Sequence, residues 1–191
     1  MKRSTDSSGS HKPAPDVAAD GDALRKLRQP VPQEFDIRIA ADGCWYHEGG
    51  LISRRALVKL FSSVLRREED GSYWLVTPVE RGRIEVEDAP FVIIGATITG
   101  DDGAADGTEQ IISFRTNVDD EFALGPENPL VMRPPAGGGE DARPYVMVRD
   151  GLEALVARPV FYELAEHSVT GPDGRLGVWS GGSFFALEGD V

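Results

Sequence analysis

The side chains best suited to binding or catalysis are concentrated in residues 45 to 54, WYHEGGLISR. Trp45 could stack on a base, His47 could bind a ligand or transfer a proton, and Arg54 could pair with a phosphate. The same letters also fit scaffold, namely a strand end, a glycine turn and a helix start. In that alternative Trp45 is a core residue and His47 is an ordinary hydrogen-bonded histidine.

A second concentration of functional groups lies in residues 77 to 90, TPVERGRIEVEDAP. Paired carboxylates can perform acid–base chemistry or hold a hard cation. The strand-like alternation around residues 84 to 87 is typical of a solvent-facing strand, whereas Glu80 and Asp88 lie at element ends beside prolines. We therefore expect Glu80 and Asp88 to be functional, with Thr77 hydrogen-bonding a sugar or a phosphate.

Arginines at element ends are the candidates for binding an anion, because a guanidinium forms a forked pair of bonds with phosphate. Besides Arg54, we expect Arg115 and Arg149 to contribute. Arg158 lies at the position equivalent to Arg54 in the internal repeat described below, so a shared structural role is the leading interpretation for these two residues.

No motif of a known catalytic class is present in the sequence. It has no GxxxxGK[ST] loop, no GxGxxG after a strand and no GxSxG elbow. The single cysteine, Cys44, excludes an internal disulfide, and the three histidines have no metal-binding spacing. We therefore expect no metal and no cofactor, and the sequence favours a protein that is not an enzyme.

The charge distribution argues against nucleic acid and membranes as partners. The net charge is −12, and residues 1 to 30 carry six Lys/Arg against four Asp/Glu, which leaves 14 against 28 in the remainder. So acidic a body repels a phosphate backbone and an anionic membrane surface. With no secretory signal and no apolar run of roughly 20 residues, a cytoplasmic protein is expected.

The hydrophobic pattern predicts a mixture of strands and two helices. Residues 35 to 39 alternate with strand period, and Asp42-Gly43 is a hairpin turn signal, after which Trp45 and His47 fall on one strand face. Apolar residues from 57 to 65 recur at helical spacing, with Ser53 as the expected N-cap. Most of the later segments, among them FVIIGATIT and EQIISFRTN, are strand-like.

The second half of the sequence repeats the element order of the first. SRRALVKLFSSVL aligns with ARPVFYELAEHSV, which places Arg54 over Arg158 and makes Pro159 the first residue of a helix, where proline is favoured. The first copy has about four extra residues between its turn glycine and its arginine, best assigned to HEGG. Because insertions often carry function, we place the site between two sub-domains, where HEGG meets residues 77 to 91.

These observations predict an α+β fold with a duplicated strand–strand–helix–strand motif. Residues 1–30 form a disordered or weakly ordered tail, with 1 to 16 disordered because they have little to bury. Residues 31–88 form an N-terminal α+β sub-domain, and residues 89–191 form a C-terminal, β-rich sub-domain with one main helix.

Several phrases together resemble a bacterial family of unknown function, domain-of-unknown-function family 1285. They are W.H.GG.I.R..LVKLFSSVLR, LVTPVE followed by VEDAPF, F.TN and GVWSGGSFF, and the resemblance spans roughly Val31 to Leu187. It implies two α+β sub-domains with a duplicated motif, the C-terminal one loosely like a pleckstrin-homology fold. It further implies a cleft for a small, nucleotide-based ligand and a role in signal transduction.

The leading functional hypothesis is therefore a regulatory module that binds a small, nucleotide-like ligand. Its expected site residues are Trp45, His47, Arg54, Thr77, Glu80, Asp88, Arg115 and Arg149. One alternative is a hydrolase or transferase that uses His47 with Glu80 or Asp88. The other is a protein-interaction module with a protein partner, which would need an exposed apolar groove.

Overall fold

The N-terminal part of the computed structural model is a six-stranded sheet crossed by one helix. The structure describes residues 31–100 and 110–189, so the predicted tail lies outside the described residues. The strands of this sheet are β1 (Pro32–Ile39), β2 (Trp45–His47), β3 (Gly50–Leu51), β4 (Leu65–Arg67), β5 (Tyr73–Val76) and β6 (Arg81–Val86). Their order is β3-β2-β1-β6-β5-β4, and β1 runs parallel to β6.

The predicted hairpin and first helix are both present. Gly43 has φ of 80° in the turn between β1 and β2, a conformation that glycine adopts without strain. Helix α1 (Arg55–Val64) joins β3 to β4, and its Val58 and Phe61 pack against the core. Its N-cap is Arg54 rather than the predicted Ser53, because the Arg54 carbonyl accepts the first helical N–H groups while its side chain makes no capping bond.

The C-terminal part contains a second six-stranded sheet, a helix and a small third sheet. The large sheet consists of β7 (Phe91–Thr99), β8 (Ile111–Thr116), β9 (Glu121–Ala123), β10 (Leu130–Arg133), β11 (Arg143–Arg149) and β12 (Leu152–Val156). Its order is β10-β11-β12-β7-β8-β9, and β7 runs parallel to β12. After it come α2 (Arg158–Glu166), β13 (Val169–Thr170), β14 (Leu176–Ser180) and β15 (Ser183–Ala186).

The second helix begins at Arg158 with proline in its first turn, as the aligned sequences predict. The predicted duplication itself is not confirmed. Helix α1 leads into β4 of its own sheet, whereas α2 leads into the separate three-stranded sheet β13-β14-β15. What the two large sheets do share is their strand order, since each pairs its first strand in parallel with its last. The likeness to a pleckstrin-homology fold is likewise not confirmed.

One apolar core runs through both parts of the fold. Its largest fully buried side chains include Trp45 from the first sheet, Phe91 and Phe114 from the second, and Leu164 from α2. Burial of each such side chain contributes roughly 1.5–3 kcal/mol. The α+β class is therefore correct, with strands predominating. In the described part of the chain, neither helix is long and apolar enough to cross a membrane.

Candidate functional site

An open cleft of about 500 Å³ lies beside α1 within the N-terminal sub-domain, and we call it the α1 cleft. Its apolar lining is Phe35, Ile37, Phe61, Val64 and Leu75. Its polar lining is Glu34, Asp36, His47, Glu48, Thr77 and Glu80. Three residues predicted for the site, His47, Thr77 and Glu80, thus meet in one cavity.

The cleft lies where the pairing of β1 with β6 is interrupted. Pro32 to Glu34 pair with β6, and pairing resumes at Arg38, so three residues of β1 lie opposite Ile84 alone. Irregularities of this kind bend a strand and redirect its side chains. The ring of Phe35 uses the space above Gly82, where a Cβ would lie 2.1 Å from the Phe35 Cδ2 atom. Gly82 therefore sets the position of the cleft floor.

The HEGG segment forms a tight hairpin turn between β2 and β3. His47 pairs with Gly50, and the two residues between them have φ of 49° at Glu48 and 75° at Gly49. Positive φ at both positions fits the right-handed twist of a two-residue hairpin, but it costs a non-glycine residue roughly 1–2 kcal/mol. The Glu48 amide also donates to the carbonyl of Asp36 at 3.0 Å. The turn thus holds Glu48, in a strained conformation, against β1 at the cleft.

Trp45 is a core residue, so its predicted role as a stacking platform is wrong. It pairs with Ile39 on the inward face of β2, its residue is 1% exposed, and its ring packs against Phe61 at 6.2 Å between centroids. The indole Nε1 is buried without a hydrogen-bond partner among the described residues. Trp45 therefore supports the cleft wall through Phe61 and has no surface to offer a ligand.

The imidazole of His47 is exposed at the cleft. Among the described residues the imidazole makes no hydrogen bond and no ion pair. It is therefore bonded to neither Glu80 nor Asp88. A general base must be oriented by, or hydrogen-bonded to, a catalytic partner. The pair that the hydrolase alternative requires is not formed in this structure. Within the same described ranges, no group of three His, Cys, Asp or Glu side chains is placed to hold a metal ion.

The hydroxyl of Thr77 is used by the chain itself, which corrects its predicted role. It donates to the Glu80 carbonyl at 3.1 Å and accepts the Glu80 N–H at 3.0 Å. These bonds close the turn between β5 and β6, so the hydroxyl proton is not available to a sugar or a phosphate. Thr77 instead fixes the backbone that carries the exposed Glu80 side chain at the cleft rim.

Asp88 is buried and bonded within the chain, so its contacts support a structural role, and its predicted functional role stays a prediction. Only 4% of the residue is exposed, and both carboxylate oxygens accept the Tyr145 hydroxyl, at 2.8 and 2.9 Å. The Ala136 N–H donates to it at 3.2 Å, and Arg143 lies 3.8 Å away. Burial, followed by the bond to Asp88, raises the pKa of Tyr145. Asp88 thus ties the end of β6 to β11 across the two sub-domains.

The predicted arginines do not assemble into an anion site. Arg149 donates to the Ser62 carbonyl at 2.9 Å, pairs with Asp120 and places its guanidinium 4.9 Å from the centre of the Phe91 ring. Arg149 thus connects α1 to the C-terminal sub-domain. Arg54 and Arg115 are exposed, and neither lines the α1 cleft. The three guanidiniums therefore do not converge on this cavity.

The sequence predicted the site between the two sub-domains, and in the structure hydrogen bonds and an ion pair within the chain lie there. Arg67 donates to the Gly151 carbonyl at 3.1 Å and lies 3.7 Å from Glu153. At the hairpin tip, the Asn117 side-chain amide donates to the Gly43 carbonyl at 3.1 Å. His47 and Glu48 of the HEGG turn line one cavity with Thr77 and Glu80, and this cavity lies within the N-terminal sub-domain.

The structure also contains a second cleft, of about 520 Å³, in the C-terminal sub-domain beside α2. Its lining includes Leu155, Phe161 and the largely exposed Tyr162. Arg158 also lines this cleft, whereas Arg54 does not. None of the eight predicted site residues lines this cleft.

The fold and cleft define an α+β protein with two large sheets and a ligand-sized cavity beside its first helix. The chain belongs to the DUF1285 family, as the resemblance indicated. The model described as "Domain of unknown function (DUF1285), N-terminal domain" matches residues 26–89. The model described as "Protein of unknown function (DUF1285), C-terminal domain" matches residues 90–187.

Two solved structures share this fold. A DUF1285 family protein from Silicibacter pomeroyi DSS-3 is 43% identical with a TM-score of 0.74, covering 85% of each chain. A DUF1285 family protein from Shewanella baltica OS155 is 24% identical with a TM-score of 0.51, covering 70% of this chain and 92% of that one, and this likeness bears on the fold alone. No curated protein matches the chain.

Proposed function

We propose that the protein is a small-ligand-binding module and that the α1 cleft is its binding site. The observation that carries the proposal is a cavity of about 500 Å³ with an apolar floor and, at its side, an imidazole that has no partner in the described part of the chain. Small-molecule sites in proteins typically have this size, a mostly apolar lining and a few polar groups that orient the ligand.

The charges at the cleft point to a cationic ligand with an apolar body. Four acidic residues, Glu34, Asp36, Glu48 and Glu80, line the cleft, and among the residues that the structure describes no lysine or arginine lines it. Clustered carboxylates of one sign attract a cation and repel a phosphate. An alkylamine fits this lining because its chain can cover Phe35 and Phe61 while its ammonium meets the rim. A nucleotide, which the resemblance implies, finds no cation there.

Binding is better supported than catalysis, because within residues 31–100 and 110–189 His47 has no hydrogen-bonded carboxylate of the kind that a general base needs. A regulatory role in signal transduction and a cytoplasmic setting remain parts of this proposal. The regulatory role is implied by the family resemblance, and the cytoplasmic setting is inferred from the sequence. The geometry of the cleft supports only the class of ligand.

Isothermal titration with three probes tests the ligand class. Octylamine and octanoate have alkyl chains of similar length and opposite charge, and AMP represents the nucleotide class. We expect octylamine to bind and the two anions not to bind. Octanoate or AMP binding at least as tightly as octylamine would overturn the cationic assignment, and no binding of any probe would count against the site itself.

A further inference from the structure

The chain enters its fold at the rim of the α1 cleft. Pro32, the first residue of β1, pairs in parallel with Arg81, the residue after Glu80. Glu34, two residues further along β1, also lines the cleft, and Val31 is 77% exposed. The first described residue, Val31, therefore lies next to the acidic rim of the cleft.

The segment immediately before β1 has the chemistry that the cleft is suited to bind. Residues 23 to 28, ALRKLR, contain three cations and two leucines and no acidic residue. Leu27 is four residues from Val31, and an extended chain of four residues spans roughly 14 Å. The segment can thus bring a leucine and its neighbouring cations over the cavity. Its charge also opposes that of residues 31 to 191, which carry 14 Lys/Arg against 28 Asp/Glu.

We propose that residues 23–28 bind in the α1 cleft of their own chain and compete there with the external ligand. This inference rests on the proposed function, since it takes the same cleft as the binding site. A tethered segment has an effective concentration on the order of 1 mM, so even a Kd of about 0.1 mM fills the cleft and weakens a competing ligand about tenfold. The segment then acts as a built-in inhibitor.

Photo-cross-linking of the full chain tests where the segment binds. With p-benzoylphenylalanine in place of Leu27, we expect intramolecular cross-links to cleft residues such as Phe61 or Val64. Reversing the segment's charges, with Arg25→Glu, Lys26→Glu and Arg28→Glu, removes these cross-links. A matched control reverses three cations elsewhere in the tail, with Lys2→Glu, Arg3→Glu and Lys12→Glu, and retains them.

Other cross-linking results overturn the proposal. They are cross-links only to the cleft beside α2, no cross-link at all, or cross-links only between isotope-labelled and unlabelled copies. Each shows that the segment does not bind the α1 cleft of its own chain, and the last shows instead that it binds a second copy.

Octylamine titration of the same variants separates this inference from the proposed function. We expect charge reversal at Arg25, Lys26 and Arg28 to raise octylamine affinity about tenfold, and the control to leave it unchanged. Equal affinities in all variants would refute inhibition and leave the ligand site standing. If octylamine binds none of them while the cross-links still map to the cleft, the segment binds there and the cationic small-molecule function fails.

Discussion

The ring of Phe35 lies on the backbone of Gly82, so close that any Cβ at position 82 would overlap it. Gly82→Ala must therefore displace the ring or the strand, and we expect it to reduce the free energy of unfolding by about 1–3 kcal/mol. We also expect weaker octylamine binding, because Phe35 lines the α1 cleft. Urea denaturation and titration measure the two effects. Gly125→Ala is the matched control, since a Cβ at Gly125 meets nothing within 4 Å.

Replacing the strained turn residue Glu48 should change the stability of the protein and its ligand affinity in opposite directions. Asparagine tolerates positive φ better than glutamate, so Glu48→Asn should raise the free energy of unfolding by about 0.5–1 kcal/mol. It also removes a carboxylate from the cleft, and octylamine should bind more weakly when Arg25→Glu, Lys26→Glu and Arg28→Glu keep the tail segment from competing. Thermal denaturation and titration together check this. A variant that binds octylamine as well as the wild type does would show that Glu48 has no part in the site.

The burial of Tyr145, together with its bond to Asp88, predicts a loss of stability in alkali. The folded protein raises the pKa of Tyr145 above its unfolded value of about 10. This contribution is therefore fully present below pH 10 and is lost as the pH rises toward the folded pKa. Tyr145→Phe should flatten this part of the stability curve. An unchanged curve above pH 10 would contradict the assignment.

Asp88→Asn should be costly at neutral pH because it weakens charge-assisted bonds to a buried group. We expect a loss of about 1.5–3 kcal/mol in urea denaturation, with octylamine affinity unchanged in the folded variant. If this variant stayed as stable as the wild type but lost ligand binding, Asp88 would be a site residue, as the sequence suggested.

A substitution at Arg149 tests how much the contact between the two sub-domains contributes to stability. Arg149→Met removes its bonds to Ser62 and Asp120 while retaining an apolar stem over Phe91. We expect a loss of about 1–3 kcal/mol of stability and no change in octylamine affinity. A selective loss of ligand binding would instead support an anion site between the sub-domains.

Local sequence signals predicted local structure well in this chain. The Asp42-Gly43 turn, the strand face shared by Trp45 and His47, and the start of α2 at Arg158 each depend on residues adjacent in sequence. The predicted duplication around the two helices was not confirmed, because it was inferred from the order of elements along the chain. The likeness that the structure shows is a shared strand order of the two large sheets, and this order depends on pairing between distant residues.

The candidate site was predicted only in part, for the same physical reason. His47 and Glu80 were identified from their types and positions, and they do line one cavity. The interruption of β1–β6 pairing that opens the cavity leaves no mark on the alternating pattern of either strand. The contacts of Asp88 and Arg149 could not be predicted because their partners, Tyr145 and Ser62, are 57 and 87 residues away.

The most direct test of the α1 cleft is an octylamine titration of two matched double variants. Glu48→Gln with Glu80→Gln removes two rim charges, whereas Glu127→Gln with Glu140→Gln removes two exposed charges from the C-terminal sub-domain. In a chain that also carries Arg25→Glu, Lys26→Glu and Arg28→Glu, so that the tail segment does not compete, we expect the first pair to lower affinity about threefold to tenfold, as for exposed ion pairs, and the second to leave it unchanged. Equal affinities in both double variants and in the same chain without them would contradict a ligand site at this cleft.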